Sequence, residues 1–223
     1  MKRKIIVTAD GSKTIQIEDW NEQYHSIHGA VQEAYHVFIK SGFWHVETKE
    51  STLSILEMGF GTGLNALITL HEAEKRDVSV EYVGIERFPV SLDEALQLNY
   101  PEVLQWSGAE KSYRKMHEVS WETPHHLTPN FSLVKCQKDF FEINHTNLFN
   151  LIYFDAFGAR VQPELWTVEL FEKMFQALKS DGVLVTYSAK GSVRRALQEV
   201  GFAIERLPGP PGKREMLRAT KKV

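Results

Sequence analysis

Ile55-Leu56-Glu57-Met58-Gly59-Phe60-Gly61-Thr62-Gly63-Leu64-Asn65 is the stretch whose reading decides the fold. The apolar run over residues 53–58 reads as a short buried strand, the three alternate glycines as a tight turn, and residues 64–76 as a helix. Glycine permits the turn and lets a ligand approach the backbone closely, and the helix start offers unpaired N–H groups to an acceptor. A second strand over residues 80–85 ends at Glu86, 23 residues after Gly63. A carboxylate at that place can accept both hydroxyls of a ribose. The turn therefore reads as a nucleotide-like cofactor site, with Glu57, Gly59, Gly61, Gly63, Asn65, Glu86 and Arg87 as candidates. Its spacing lacks the Gly-x-Gly-x-x-Gly pattern of nicotinamide dinucleotide sites, which argues against an oxidoreductase.

Outward from this turn, strands alternate with helices. Residues 89–99 read as a helix with Pro101 as terminator, and residues 132–136, 151–154, 183–187, 202–207 and 216–220 as further strands. A helix over residues 163–179 closes at Ser180-Asp181-Gly182, and another, capped by Ser192, runs to Val200 and stops at Gly201. Such alternation implies a parallel sheet covered on both faces, and the short link at 208–213 implies an antiparallel edge hairpin. Ahead of the sheet, residues 4–18 read as a β-hairpin turning at Asp10-Gly11, and residues 29–41 as a helix stopped by Gly42. The chain is expected to form one domain over residues 1–223, with residues 1–50 as an extension. The polar, tryptophan-bearing stretch 101–130 breaks the rhythm and reads as an insertion or lid.

Two more strand ends carry carboxylates. Asp139, before Phe140, can meet an adenine amine while the aromatic covers the ring; it can equally cap a helix, and both can hold together. Asp155 ends an apolar strand, and ligands of open parallel sheets sit beyond the carboxyl ends of the strands. It is expected at the reaction centre.

Composition narrows the rest. The 223 residues carry 26 Lys and Arg against 29 Asp and Glu, a net charge of −3 that does not advertise nucleic-acid binding. The distribution is uneven, because residues 190–223 hold nine basic residues against three Glu. That asymmetry is compatible with one anion-facing patch or with a solvated C-terminal face. One cysteine, Cys136, fits a reducing compartment, and the Ile5-Ile6-Val7 run is too short for a signal peptide core or a membrane span. A cytoplasmic location is expected. His125-His126 has no nearby Cys or spaced carboxylate, so no metal site is expected.

Several blocks together resemble the methyltransferase domain of the bifunctional tRNA-modifying enzyme MnmC, including its stand-alone versions. They are Gly59–Asn65 as quoted, Glu86-Arg87-Phe88-Pro89, Asp155-Ala156-Phe157 with Pro163-Glu164-Leu165-Trp166, the run from Ser192 to Phe202, and Gly212-Lys213-Arg214-Glu215-Met216-Leu217. The resemblance implies a Rossmann-like, α/β class I fold that binds S-adenosyl-L-methionine. It also implies methylation of 5-aminomethyl-2-thiouridine at the tRNA wobble position, giving 5-methylaminomethyl-2-thiouridine. Asp155 would orient the amine and take its proton. Arg194, Arg195, Lys213 and Arg214 would meet phosphates of the anticodon stem-loop, and Phe157, Tyr187 or Trp166 could stack on the splayed base. The family's FAD-dependent oxidase half is not expected here, and the chain could act as a monomer. The loop Gly158-Ala159-Arg160-Val161-Gln162 departs from the family's Pro- and Lys-containing loop. Two alternatives remain. An aminopropyltransferase of the spermidine synthase type would turn over a polyamine, and a non-catalytic RNA-binding module would bind cofactor without turnover.

Overall fold

In the computed structural model, which describes residues 2–46 and 50–222, the chain opens with a small antiparallel sheet. Arg3–Val7 (β1) pairs with Lys13–Ile17 (β2) across a turn in which Gly11 takes φ +83°, and Glu22–Gln23 (β3) adds a third strand. Ala30–Ala34 (α1) then continues into a π-helical segment, Tyr35–Phe43. Gly42 lies inside this helix and does not stop it, contrary to the sequence expectation. A side chain there would meet Val185 at 3.0 Å and Tyr153 at 3.3 Å, so the glycine lets the helix lie directly on the main sheet.

The main sheet begins with Thr52–Met58 (β4), Leu64–Arg76 (α2) and Ser79–Ile85 (β5). After β5 the expected helix over 89–99 is reduced to Leu92–Ala95 (α3), fixed by a capping box between Ser91 and Glu94. Pro101 does not terminate it but sits in the first turn of Tyr100–Leu104 (α4), where its missing N–H costs no hydrogen bond. The stretch expected to be an insertion or lid is ordered against the sheet. It supplies Ala109–Glu118 (α5), which buries Ala109, Tyr113 and Met116, and His125–Thr128 (β6).

The remaining strands are Phe131–Cys136 (β7), Phe149–Phe154 (β8) and Leu178–Thr186 (β9), with Val168–Ala177 (α6) between the last two. Gly191–Val200 (α7) leads to Ala203–Pro208 (β10) and Glu215–Thr220 (β11). Ser192 does not cap α7. Lys190 occupies the cap position without a side-chain bond, and Ser192 falls inside the first turn.

The strand order is β10-β11-β9-β8-β4-β5-β7-β6. Strands β9, β8, β4, β5 and β7 are parallel, β11 runs antiparallel between β9 and β10, and β6 is antiparallel at the opposite edge. Both faces are buried, one under α2, α5 and the N-terminal helix, the other under α6 and α7. The parallel sheet with helices on both faces and the antiparallel edge hairpin agree with the sequence expectation; β6 was not expected. Order reverses between β4 and β8, whose ends stay paired while the chain after β4 turns to one face of the sheet and the chain after β8 to the other, which leaves a crevice.

Candidate functional site

At that crevice the loop after β4 is shaped by three glycines at positive φ, of which two are explained by their surroundings. Gly59, at φ +97°, lies so close to the next strand end that a Cβ would stand 2.7 Å from the Asp155 carbonyl oxygen. Gly61, at φ +51°, packs under Tyr24, which a Cβ would meet at 3.0 Å. The Gly59 and Phe60 N–H groups both donate to the Ile85 carbonyl at 3.0 Å, which ties the loop to β5. Glu86, immediately after β5, accepts from Gly61 N–H at 3.0 Å through one oxygen and from Phe88 N–H at 2.8 Å through the other. Each oxygen keeps acceptor capacity for a ligand hydroxyl. Burial pushes the Glu86 carboxyl above its ordinary value, against the backbone hydrogen bonds that hold it down.

Asp139 follows β7 and does what the capping reading expected, accepting from Phe141 N–H at 2.9 Å. Its other oxygen pairs with the exposed Arg87, so Arg87 fixes Asp139. Phe140 is 8% exposed and lines the same cavity as Glu86 and Asp139.

Asp155, one residue past β8, borders the cavity on the other side of the crevice. Asn65, in the first turn of α2, sends its amide nitrogen to Asp155 Oδ2 and to Glu57 Oε1, both at 2.9 Å. Desolvation raises the Asp155 pKa to about 7, with a further push from the negative Glu33; the Asn65 hydrogen bond and Lys213 oppose this. At neutral pH the group therefore exists in both protonation states. Glu57 is 0% exposed and does not reach the cavity, so its part is indirect, through Asn65. Burial lifts its carboxyl well above the ordinary range, and its Oε2 has no hydrogen-bond partner.

The cavity, about 550 Å³, is walled on the far side by the N-terminal segment, which sequence reasoning left out of the site. Phe157 meets Trp20 and Tyr24 edge-on, with ring centroids 5.7 and 5.0 Å apart. Arg160, in the loop that departs from the family pattern, reaches back to Glu22 at 2.8 Å and to the Trp20 carbonyl at 3.1 Å. Glu33, 7% exposed, pairs with Lys213 at 2.5 Å, and Lys213 lies over the Tyr187 ring at 3.9 Å. Lys213 thus belongs to the cavity wall. Arg194 is half-buried and Arg195 and Arg214 are exposed, all three outside the cavity lining, as is Gly63. Of the proposed stacking groups, Trp166 is buried, donating to the Phe157 carbonyl at 2.8 Å. Tyr187 donates to the Ala156 carbonyl at 2.8 Å; both hold the Asp155–Phe157 loop from behind.

A glycine loop open to the cavity, a half-buried carboxylate with spare acceptor capacity and an aromatic beside it fit a nucleoside-containing cofactor. A profile of the S-adenosyl-L-methionine-dependent methyltransferase family matches residues 107–222, just over half of the chain. The chain belongs to that family. Among curated proteins this methyltransferase is similar to the tRNA 5-methylaminomethyl-2-thiouridine biosynthesis bifunctional protein MnmC. It is 28% identical to that of Idiomarina loihiensis over 217 residues, covering 89% of this chain and 35% of that protein. To that of Pseudomonas aeruginosa it is 29% identical over 226 residues, covering 91% and 34%. The chain therefore spans about a third of the length of these relatives. Among solved structures it superposes on MnmC2 from Aquifex aeolicus with a TM-score of 0.79 at 24% identity, over 100% of this chain and 71% of that one. A probable spermidine synthase from Corynebacterium glutamicum reaches 0.57 at 17% identity, over 99% and 77%. Identities this low show the fold alone, and both agree on it. Among the described residues no group of three or more His, Cys, Asp or Glu is placed to hold a metal ion. No helix among them is long and apolar enough to cross a membrane.

Proposed function

We propose that this methyltransferase methylates the aminomethyl nitrogen of 5-aminomethyl-2-thiouridine at the tRNA wobble position, giving 5-methylaminomethyl-2-thiouridine. The observation that carries this reading is Asp155, whose pKa near 7 lies at the edge of a cavity shared by the glycine loop and an aromatic wall. A primary amine near pH 7 is almost wholly an ammonium; taking lysine as a guide, only on the order of one in a thousand is neutral. Ionised Asp155 accepts a hydrogen bond from that ammonium, holds the nitrogen in place and takes up its proton, directly or through water. Asn65 keeps the carboxylate aimed while this happens. Bound S-adenosyl-L-methionine supplies an electrophilic methyl group on a sulfonium. Glu86, Asp139 and Phe140 would hold its adenosine part, and Gly59 and Gly61 leave room beside the backbone. Aligning nitrogen and methyl could contribute roughly 7–11 kcal/mol, so positioning outweighs the proton transfer.

For the acceptor, the flat uracil fits the Trp20–Tyr24–Phe157 wall, and the exposed Arg195 and Arg214 and the half-buried Arg194 suit phosphates of the anticodon stem-loop. The names of the MnmC relatives support the same substrate. The test is transfer of labelled methyl to tRNA bearing 5-aminomethyl-2-thiouridine, with tRNA bearing the carboxymethylaminomethyl form as control. Label on the first alone is the expected result; label on neither, with cofactor bound, rejects the substrate.

A further inference from the structure

Helix α5 has a feature that neither the cofactor contacts nor the acceptor wall requires. It sends two donors to one atom, the carbonyl oxygen of Thr62, in the middle of the glycine loop. Tyr113 donates its hydroxyl at 2.9 Å and His117 its Nε2–H at 3.1 Å. Tyr113 and Thr62 are each 1% exposed, so the Tyr113 bond is shielded from solvent, and the His117 bond is partly buried. Burial holds the His117 pKa down to about 4, which keeps the ring neutral and consistent with one N–H for this bond. Packing points the same way, since a Cβ at Gly63 would meet His117 Nε2 at 3.1 Å and Met116 Sδ at 3.2 Å. The Thr62 hydroxyl is engaged from another side by Tyr100 at 3.3 Å and His25 at 3.5 Å. Thr62 is therefore held at its carbonyl and at its hydroxyl, while Gly61 beside it gives its N–H to Glu86.

We propose that α5 is a brace for the cofactor loop, with Tyr113 and His117 as positioning residues that preset its backbone for S-adenosyl-L-methionine. A preset loop spares the cofactor the cost of ordering it. The stretch that reads in sequence as a lid is on this account a buried support, and it acts on cofactor affinity. The inference rests on the family's cofactor and is independent of the acceptor.

The two donors share one acceptor, and this fixes the expected pattern. A single loss leaves the carbonyl one partner, whereas the double loss leaves a buried acceptor with none, which is far more costly. Titration calorimetry with S-adenosyl-L-methionine on Y113F, H117F and the double variant is expected to show Kd raised about threefold for each single change. The double change should raise it about a hundredfold, more than the product of the two. Circular dichroism confirms that the variants are folded. H117Q, which keeps an N–H donor, should bind close to wild type. Wild-type affinity in the folded double variant, even with a lowered melting temperature, overturns the brace. Should the double variant not fold, H117Q and H117F decide the matter: tighter binding by the glutamine variant supports the brace, and equal Kd values overturn it.

Discussion

Asn65 donates to Asp155 at 2.9 Å through the same amide nitrogen that reaches the buried Glu57, so the cavity carboxylate is aimed by a residue of the cofactor helix. This bond favours the ionised form of Asp155, working against the desolvation that raises its pKa to about 7.

Removing that donor should move the ionisation of Asp155 further upward. N65L is expected to lower methyl transfer near neutral pH by about fivefold and to regain most of it at alkaline pH. A pH–rate profile checks this. An acid limb at the wild-type position in the variant would show that Asn65 does not set the ionisation of Asp155.

Glu57 makes a stability prediction with a defined sign. Its folded-state pKa stands well above the ordinary 4.5, so the native state favours the protonated carboxyl. That contribution is fully present below about pH 4.5 and is lost as pH rises toward the folded-state value. E57Q, which keeps a neutral acceptor for Asn65, should therefore lose less melting temperature than wild type between mildly acidic and mildly alkaline pH. Parallel melting curves would sink the assignment.

Gly59→Ala places a Cβ 2.7 Å from the Asp155 carbonyl oxygen at a φ of +97°. Backbone must move at both strand ends of the crevice. A loss of about 1–3 kcal/mol in stability is expected, together with weakened cofactor binding. Chemical denaturation and calorimetry on the same sample measure the two effects.

Arg194, Arg195 and Arg214 lie outside the cavity, and their proposed part is contact with phosphates. Alanine substitution should raise the KM for tRNA and flatten its salt dependence by about one unit of slope per contact, leaving cofactor affinity unchanged. Unchanged salt dependence in all three variants would remove these arginines from the nucleic-acid contacts.

The parts of this site that could be read in the sequence are those set by local pattern. Strand, glycine turn and helix over residues 52–76 declare themselves through apolar periodicity and glycine chemistry, and Glu86, Asp139 and Asp155 through their places at strand ends. Helix α5 was legible in principle, since Ala109, Tyr113 and Met116 fall at helical spacing, but its other positions are polar and the stretch reads as an insertion or lid. The aromatic wall was not legible. Trp20 and Tyr24 come to Phe157, and Glu33 to Lys213, through long-range packing of the N-terminal segment, and no local signal encodes that. Lys213 reads in the sequence as a phosphate contact, and a charge count cannot show that its ammonium pairs with Glu33.

The most direct test of the central claim is the single-turnover rate of methyl transfer by wild type and D155N, from about pH 5.5 to about pH 9, on tRNA bearing the aminomethyl uridine. Wild type should rise through a midpoint near pH 7, the value set by the desolvated Asp155. D155N should lose about a hundredfold or more of the rate and that midpoint with it, while binding S-adenosyl-L-methionine as before. A D155N enzyme that keeps both the rate and the midpoint would contradict the account.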